Sequence, residues 1–252
     1  MQEITSLQNS KVQHIRKLKD KAYRKECGQY FVEGENLVKD LPFDASVMEV
    51  FVLKSRIENY SYILSRYDDA ICYAVDDKTM KAMSETVTPS GILVLVQYAE
   101  KELDLSGNIV ITDGVSDPGN MGTIIRTCVA CGVKQIIAVD SVDCFSGKVL
   151  RASMGGVFKI NINKLSREEA VKTVKSSVHT VYSLDMNGEN IFNTVKPQGL
   201  FALAVGSESR GLSQEFRNAS KVISLPMAGQ MESLNAAVSL SVALYELVFN
   251  KA

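Results

Sequence analysis

From Ile109 onward, short apolar runs alternate with segments of helical periodicity. Ile109 to Thr112, Gln135 to Val139, Val157 to Ile162, His179 to Leu184, Leu200 to Val205 and Val222 to Leu225 predict strands. Helices fit Gly122 to Cys131, Lys148 to Met154, Arg167 to Ser176, Ser213 to Asn218 and Ser233 to Asn250. Strands this uniformly apolar, separated by helices, predict a mainly parallel sheet covered on both faces. Ligands of such sheets bind beyond the carboxyl ends of the strands.

The first half reads as a smaller α/β unit. Tyr30-Phe31-Val32, Val47 to Leu53, Ile71 to Val75 and Ile92 to Val96 are its strand candidates. Helices are expected over Glu35 to Leu41 and around Arg56 to Tyr67. Residues 11–25 predict one amphipathic helix, with Val12, Ile15, Leu18 and Ala22 on its apolar face. The polar stretch 99–108 is the expected linker. It divides the chain into domains over 1–98 and 109–252, and 252 residues exceed what one core usually uses.

Composition adds boundaries to this picture. The chain is 46% hydrophobic with a net charge of −1, so it lacks the overall basic balance of a nucleic-acid coat. Any basic surface must be local. Residues 11–25 supply one, with seven Lys or Arg against the single acid Asp20. Arg16, Lys17, Lys19, Lys21, Arg24 and Lys25 are the candidate phosphate contacts on RNA, weighed against a merely solvated helix face. The start lacks a basic region leading into an apolar run, and no uncharged apolar run approaches membrane-spanning length. The expectation is a cytoplasmic protein without membrane association. The five cysteines make no disulfide framework. Cys128-x-x-Cys131 falls late in a predicted helix and has no second pair at zinc spacing, so packing is favoured over redox or metal chemistry and no metal is expected.

Candidate chemistry concentrates in three loops, each after a predicted strand. The first runs from Asp117 to Arg126, with Asn120 as a helix cap, Gly119 and Gly122 for close approach, and Arg126 one turn beyond Gly122. The second, Gly206 to Ser213, resembles a phosphate loop in outline. However, Leu212 stands where such a loop needs Lys, and Glu208 would repel phosphate. No G-x-G-x-x-G fingerprint occurs. A neutral, sugar-bearing or cationic ligand suits this loop better. The third, Leu225 to Asn235, opens into a segment without charge until Glu246, and Ser233 or Asn235 can cap it. Each loop alone is an ordinary turn before a helix. Their joint occurrence at three strand ends is what singles them out.

Asn120-x-Gly122-x-x-x-Arg126, Gly206-Ser207-Glu208-x-x-Gly211-Leu212-Ser213 and Leu225-Pro226-Met227-x-Gly229 with Glu232-Ser233-Leu234-Asn235 together resemble the SpoU (TrmH) family. These are SPOUT-class RNA 2′-O-ribose methyltransferases that use S-adenosylmethionine. Arg151-Ala152-Ser153-Met154-Gly155 is a further stretch typical of it. Asn9 to Val12 and Phe31 to Gly34 resemble its N-terminal substrate-binding domain, itself similar to kink-turn-binding ribosomal proteins. The resemblance implies a C-terminal deep trefoil knot, which no pattern of residues predicts. It implies cofactor contacts at Gly206, Leu225, Met227 and Leu234. It gives Arg126 the central catalytic role, with Asn120, Glu208, Ser233 and Asn235 holding it and the nucleotide. It also implies a homodimer and an RNA substrate, with ribosomal RNA favoured over transfer RNA. The nearly all-apolar segment 233–249 with its small residues independently predicts a helix buried on several sides.

Two other readings compete. An inactive RNA-binding or ribosome-assembly factor of the same fold would not need Asn120, Arg126, Glu208, Ser233 and Asn235 intact. A small-molecule enzyme using a nucleotide lacks the loop signatures. Neither His14 nor His179 sits in a catalytic context, so hydrolysis has no support.

Overall fold

The computed structural model describes residues 1–67, 70–99, 101–194, 196–208 and 210–250. The chain divides into two compact units, Met1–Glu100 with Phe145–Arg151, and Lys101–Cys144 with Ala152–Ala252.

The first unit contains β1 (Gln2–Ile4), α1 (Ser10–Lys17), α2 (Lys21–Cys27), β2 (Gln29–Glu33), α3 (Glu35–Asp40), β3 (Val47–Leu53), α4 (Ser61–Leu64), β4 (Ile71–Val75), α5 (Asp77–Met83) and β5 (Ile92–Gln97). Its sheet runs β1-β4-β3-β5-β2. β1, β4 and β3 are parallel, while β5 is antiparallel to both β3 and β2. Val12, Ile15 and Leu18 pack with Phe31, Phe51, Met80 and Leu95 in the core.

The expected single helix over 11–25 is two helices. Asp20 ends the reading of a continuous stripe, because its carboxylate accepts from Tyr23 N and caps α2. The break rotates the second segment, so Ala22 is exposed rather than buried. The helix expected around Arg56 to Tyr67 is two 3₁₀ turns followed by the short α4.

The remaining elements are β6 (Ile109–Asp113), α6 (Pro118–Ala130), β7 (Gln135–Val139), α7 (Gly147–Ala152), β8 (Asn161–Lys164), α8 (Arg167–Ser176), β9 (Thr180–Asn190), β10 (Phe201–Gly206), α9 (Gln214–Asn218), β11 (Lys221–Ser224) and α10 (Ala236–Phe249). The six strands form one sheet in the order β11-β9-β10-β6-β7-β8, and every pairing is parallel. β6, β7 and β10 are buried along their whole length, as their mostly apolar runs predict. One core cluster joins Ile109, Ile111, Ile137 and Val139 to Ala170, Val174, Leu212 and Phe216.

Two strand expectations change. Val157 to Ile162 is a 3₁₀ turn at Gly156–Phe158 followed by β8, since Gly155 turns the chain with φ 73°. β9 continues six residues past Leu184, through Asp185 to Asn190, where polar side chains concealed it.

Strand order decides where the site lies. β6, β7 and β8 step outward in one direction, and β10 then returns to lie on the other side of β6. The direction of winding therefore reverses between β6 and β10. Asp113 and Gly206, their last residues, are register partners. Crevices at such reversals are where open parallel sheets bind ligands.

Candidate active site

The loop after β6 enters α6 through Asp117, whose Oδ1 accepts from Asn120 N at 2.7 Å, with Pro118 in the first turn. Asn120 is thus not the cap expected from sequence. Its side chain is spared that task and reaches the loop after β10 instead. Asn120 Nδ2 donates to Glu208 Oε1 at 2.9 Å. Asn235 Nδ2 donates to the same oxygen at 2.6 Å and to Asn120 Oδ1 at 2.9 Å. Asn235 Oδ1 meanwhile accepts from Ala237 N and Val238 N, capping α10. That helix begins at Ala236, not Ser233. One residue from each of the three loops therefore meets in a single polar cluster.

Glycines permit the close approaches behind it. A Cβ on Gly206 would lie 2.2 Å from the Gly211 carbonyl, because Ser207 and Gly211 exchange backbone bonds and fold the loop on itself. A Cβ on Gly122 would lie 2.3 Å from Ala152 Cβ, so α6 packs directly on the chain at Ala152–Ser153.

Beside the cluster is a cavity of about 610 Å³. Gly206, Leu225, Met227 and Leu234 all line it, together with Glu208 and Ser233. Its far wall is Leu184 to Asn187, on the extended part of β9. There Asp185 pairs with Arg217 at 2.8 Å. This wall was missed in the sequence, because a strand ending at Leu184 leaves no reason to single it out. Arg217 also donates Nε–H to the Leu212 carbonyl, tying α9 to the loop. At the end of β6, buried Asp113 accepts from Arg167 Nε and Nη2 and from Ser213 N, which fixes the second loop at its far end.

Arg126 is exposed on α6, and its side chain makes no hydrogen bond or ion pair with a described residue. Ser233 is also exposed. The structure thus joins Asn120, Glu208 and Asn235, and leaves Arg126 and Ser233 outside that hydrogen-bonded cluster. Cys128 is fully buried, and burial pushes its thiol well above the ordinary range; Cys131 shifts the same way. Reactive thiols need the opposite shift. His14 pairs with Tyr23 and Gln29, and His179 with Ser177 and the Gly107 carbonyl, which accounts for both rings.

Of the candidate RNA contacts, Arg16, Lys17, Lys19, Lys21 and Lys25 are exposed. Arg24 is the correction. It is 4% exposed, and its Nη1 donates to the Leu18 and Lys19 carbonyls, closing the junction between α1 and α2. Lys19 donates to the Ala82 and Ser84 carbonyls, and burial lowers its pKa.

A wholly parallel sheet, a cavity at the ends of β10 and β11 beside β9, and a three-loop polar cluster define an α/β domain suited to a small organic ligand. The chain matches the model of the SpoU rRNA Methylase family over residues 107–245, and that of an MRM3-like substrate binding domain over 9–94. It belongs to the SpoU rRNA methylase family. A 23S rRNA (guanosine(2553)-2′-O)-methyltransferase of Bacillus subtilis is 30% identical over 98% of this chain and 99% of its own. A 23S rRNA (adenosine(1067)-2′-O)-methyltransferase of Streptomyces azureus is 39% identical, over 56% of this chain and 54% of its own. An AdoMet-bound rRNA methyltransferase from Sinorhizobium meliloti superposes with a TM-score of 0.87 at 27% identity, covering 98% of this chain and 97% of that one.

Proposed function

We propose that this protein transfers a methyl group from S-adenosylmethionine to a ribose 2′-OH of ribosomal RNA. The observation that carries the reading is the meeting of Asn120, Glu208 and Asn235 beside the cavity lined by Gly206, Leu225, Met227 and Leu234. The cavity suits the donor. Its walls combine glycine and apolar residues with the carboxylate of Glu208, compatible with a cationic, sugar-bearing molecule. When bound, S-adenosylmethionine supplies an electrophilic methyl group on sulfonium.

The chain's own residues have three tasks. Gly206, Leu225, Met227 and Leu234 would hold the donor, and alignment of its methyl with the ribose hydroxyl would supply much of the rate. Glu208 touches both the cavity and the two asparagines, so it sets the loops in register. Arg126 remains cationic, since a guanidinium keeps its proton at neutral pH. It grips the target phosphate and stabilises the alkoxide emerging at the 2′-oxygen. Ser233, on the cavity wall, positions the ribose. The hydroxyl proton leaves to solvent as the C–O bond forms and the methyl–sulfur bond breaks.

RNA is selected by the N-terminal domain, through Arg16, Lys17, Lys19, Lys21 and Lys25. Relatives named as 23S rRNA methyltransferases support ribosomal RNA as the substrate of this chain. The working form is a homodimer, supported by the exposed apolar stripe on α10, and the C-terminal strands are knotted as the family resemblance implies. A cytoplasmic setting is part of the proposal, on cysteine spacing that makes no disulfide framework. The test is ribose-methylation mapping of ribosomal RNA from cells with and without the protein. Loss of one 2′-O-methyl mark is expected; an unchanged map, with no labelled S-adenosylmethionine bound, would favour the inactive assembly factor.

A further inference from the structure

Met154 stands at the left-handed position two residues past α7, where glycine is the usual residue. It and Asp140 are the non-glycine residues with positive φ among the described residues, at 48° and 46°. Left-handed backbone is disfavoured for an L-residue, and least so for Asp or Asn. Asp140 uses its position to pair with Arg167. Met154 is 63% exposed, so packing does not account for a large apolar side chain there.

Its surroundings give a reason. A Cβ on Gly122 would fall 2.8 Å from Ser153 N, and one on Gly156 would fall 3.9 Å from Arg126 Cα. The segment 152–156 therefore lies along α6 from Gly122 to Arg126. Ser153, just before Met154, is buried against this face. Met154 stands out from the segment beside the stretch of α6 that ends in Arg126. Strained backbone clusters at functional sites, where the surrounding structure holds it in place. An unbranched thioether also adapts well to a flat ligand face.

We propose that Met154 is a substrate-contacting residue whose side chain packs on the unstacked target nucleoside of the RNA, holding its ribose before Arg126. This rests on the proposed methyl transfer to RNA. The test uses the full-length protein with Met154→Gly, Met154→Ala and Met154→Leu. Protein-free ribosomal RNA from cells lacking this protein is the probe. Glycine tolerates positive φ at no steric cost, so Met154→Gly should leave the melting temperature unchanged or raised. It and Met154→Ala should raise KM and weaken RNA affinity about tenfold, the size of one lost base contact. S-adenosylmethionine affinity should hold, and Met154→Leu should stay within about threefold of the parent, since it keeps the apolar reach.

A packing role would instead lower the melting temperature of Met154→Gly by more than about 3 °C, and that result overturns the proposal. So would loss of the dimer in Met154→Gly, or its parental RNA affinity and methyl transfer. A parent that binds this RNA but transfers no methyl counts against the function, while the affinity comparison still decides the role of Met154.

Discussion

Glu208 holds two asparagines with one carboxylate oxygen, so no member of the cluster can be replaced alone without loosening the others. Asn120→Ala and Asn235→Ala should each lower methyl transfer, and the double variant should lose much less than the product of the two losses. A double-mutant cycle measures this, with a coupling of about 1 kcal/mol or more expected for residues sharing one network. Asn235→Ala carries a further cost, because it uncaps α10; about 1 kcal/mol of stability should go with it, read by denaturant titration. Arg126→Lys keeps the charge and loses the planar fork. It should cut methyl transfer by about a hundredfold with donor binding intact, the scale of losing one oriented group at a developing oxyanion. Near-normal turnover would remove the geometric part of its role. The motif residues were legible in sequence because their spacing is specific. The partnership among them was not, since Asp117 takes over the cap that sequence gives to Asn120, and only the register of β6 with β10 brings Glu208 within reach.

At the scale of elements, the basic segment shows what periodicity resolves and what it misses. Val12, Ile15 and Leu18 lie in the core as their helical spacing predicts, because the apolar stripe continues from α1 into its cap. Asp20 then offered the backbone a capping bond that an unbroken helix cannot use, and the stripe ended there. The consequence separates two kinds of arginine. Charge removal at Arg16, Lys17, Lys21 and Lys25 should weaken RNA binding and flatten its salt dependence by about 0.7 to 0.9 in log–log slope for each lost phosphate contact. An unchanged slope would release these residues from the interface. Arg24→Gln should behave differently. Its buried guanidinium satisfies two carbonyls at the α1–α2 junction, so the loss should appear as about 1–3 kcal/mol of stability in denaturant unfolding. β9 illustrates the converse problem. Its apolar half was read as a strand, whereas the polar half that forms a cavity wall gave no alternating pattern to follow.

For the whole molecule, α10 has more apolar surface than one chain can cover. Ala237, Leu240, Ala243, Leu244 and Leu247 are buried, and Thr127 and Ser241 hydroxyls lie 2.8 Å apart where the helix meets α6. Yet Val238, Val242, Tyr245 and Phe249 are exposed along one side, at spacings that keep them on a single stripe. Phe192, Met231 and Leu234 are exposed too, and with Val242 they line a second, smaller hollow. An apolar stripe of this kind suits an interface. The sequence announced that the helix would be buried on several sides, but it could not say which side this chain leaves open. Because Leu234 lies on both the exposed surface and the cavity wall, pairing there would also steady the donor site. Val242→Asp sets a charge in the middle of the stripe at a position already open to solvent, so the chain should still fold. The parent should sediment as a dimer at micromolar concentration and the variant as a 27.6 kDa monomer, with an unchanged circular-dichroism spectrum and weakened S-adenosylmethionine binding. A parent that sediments at the single-chain mass would show that the stripe serves something other than self-association.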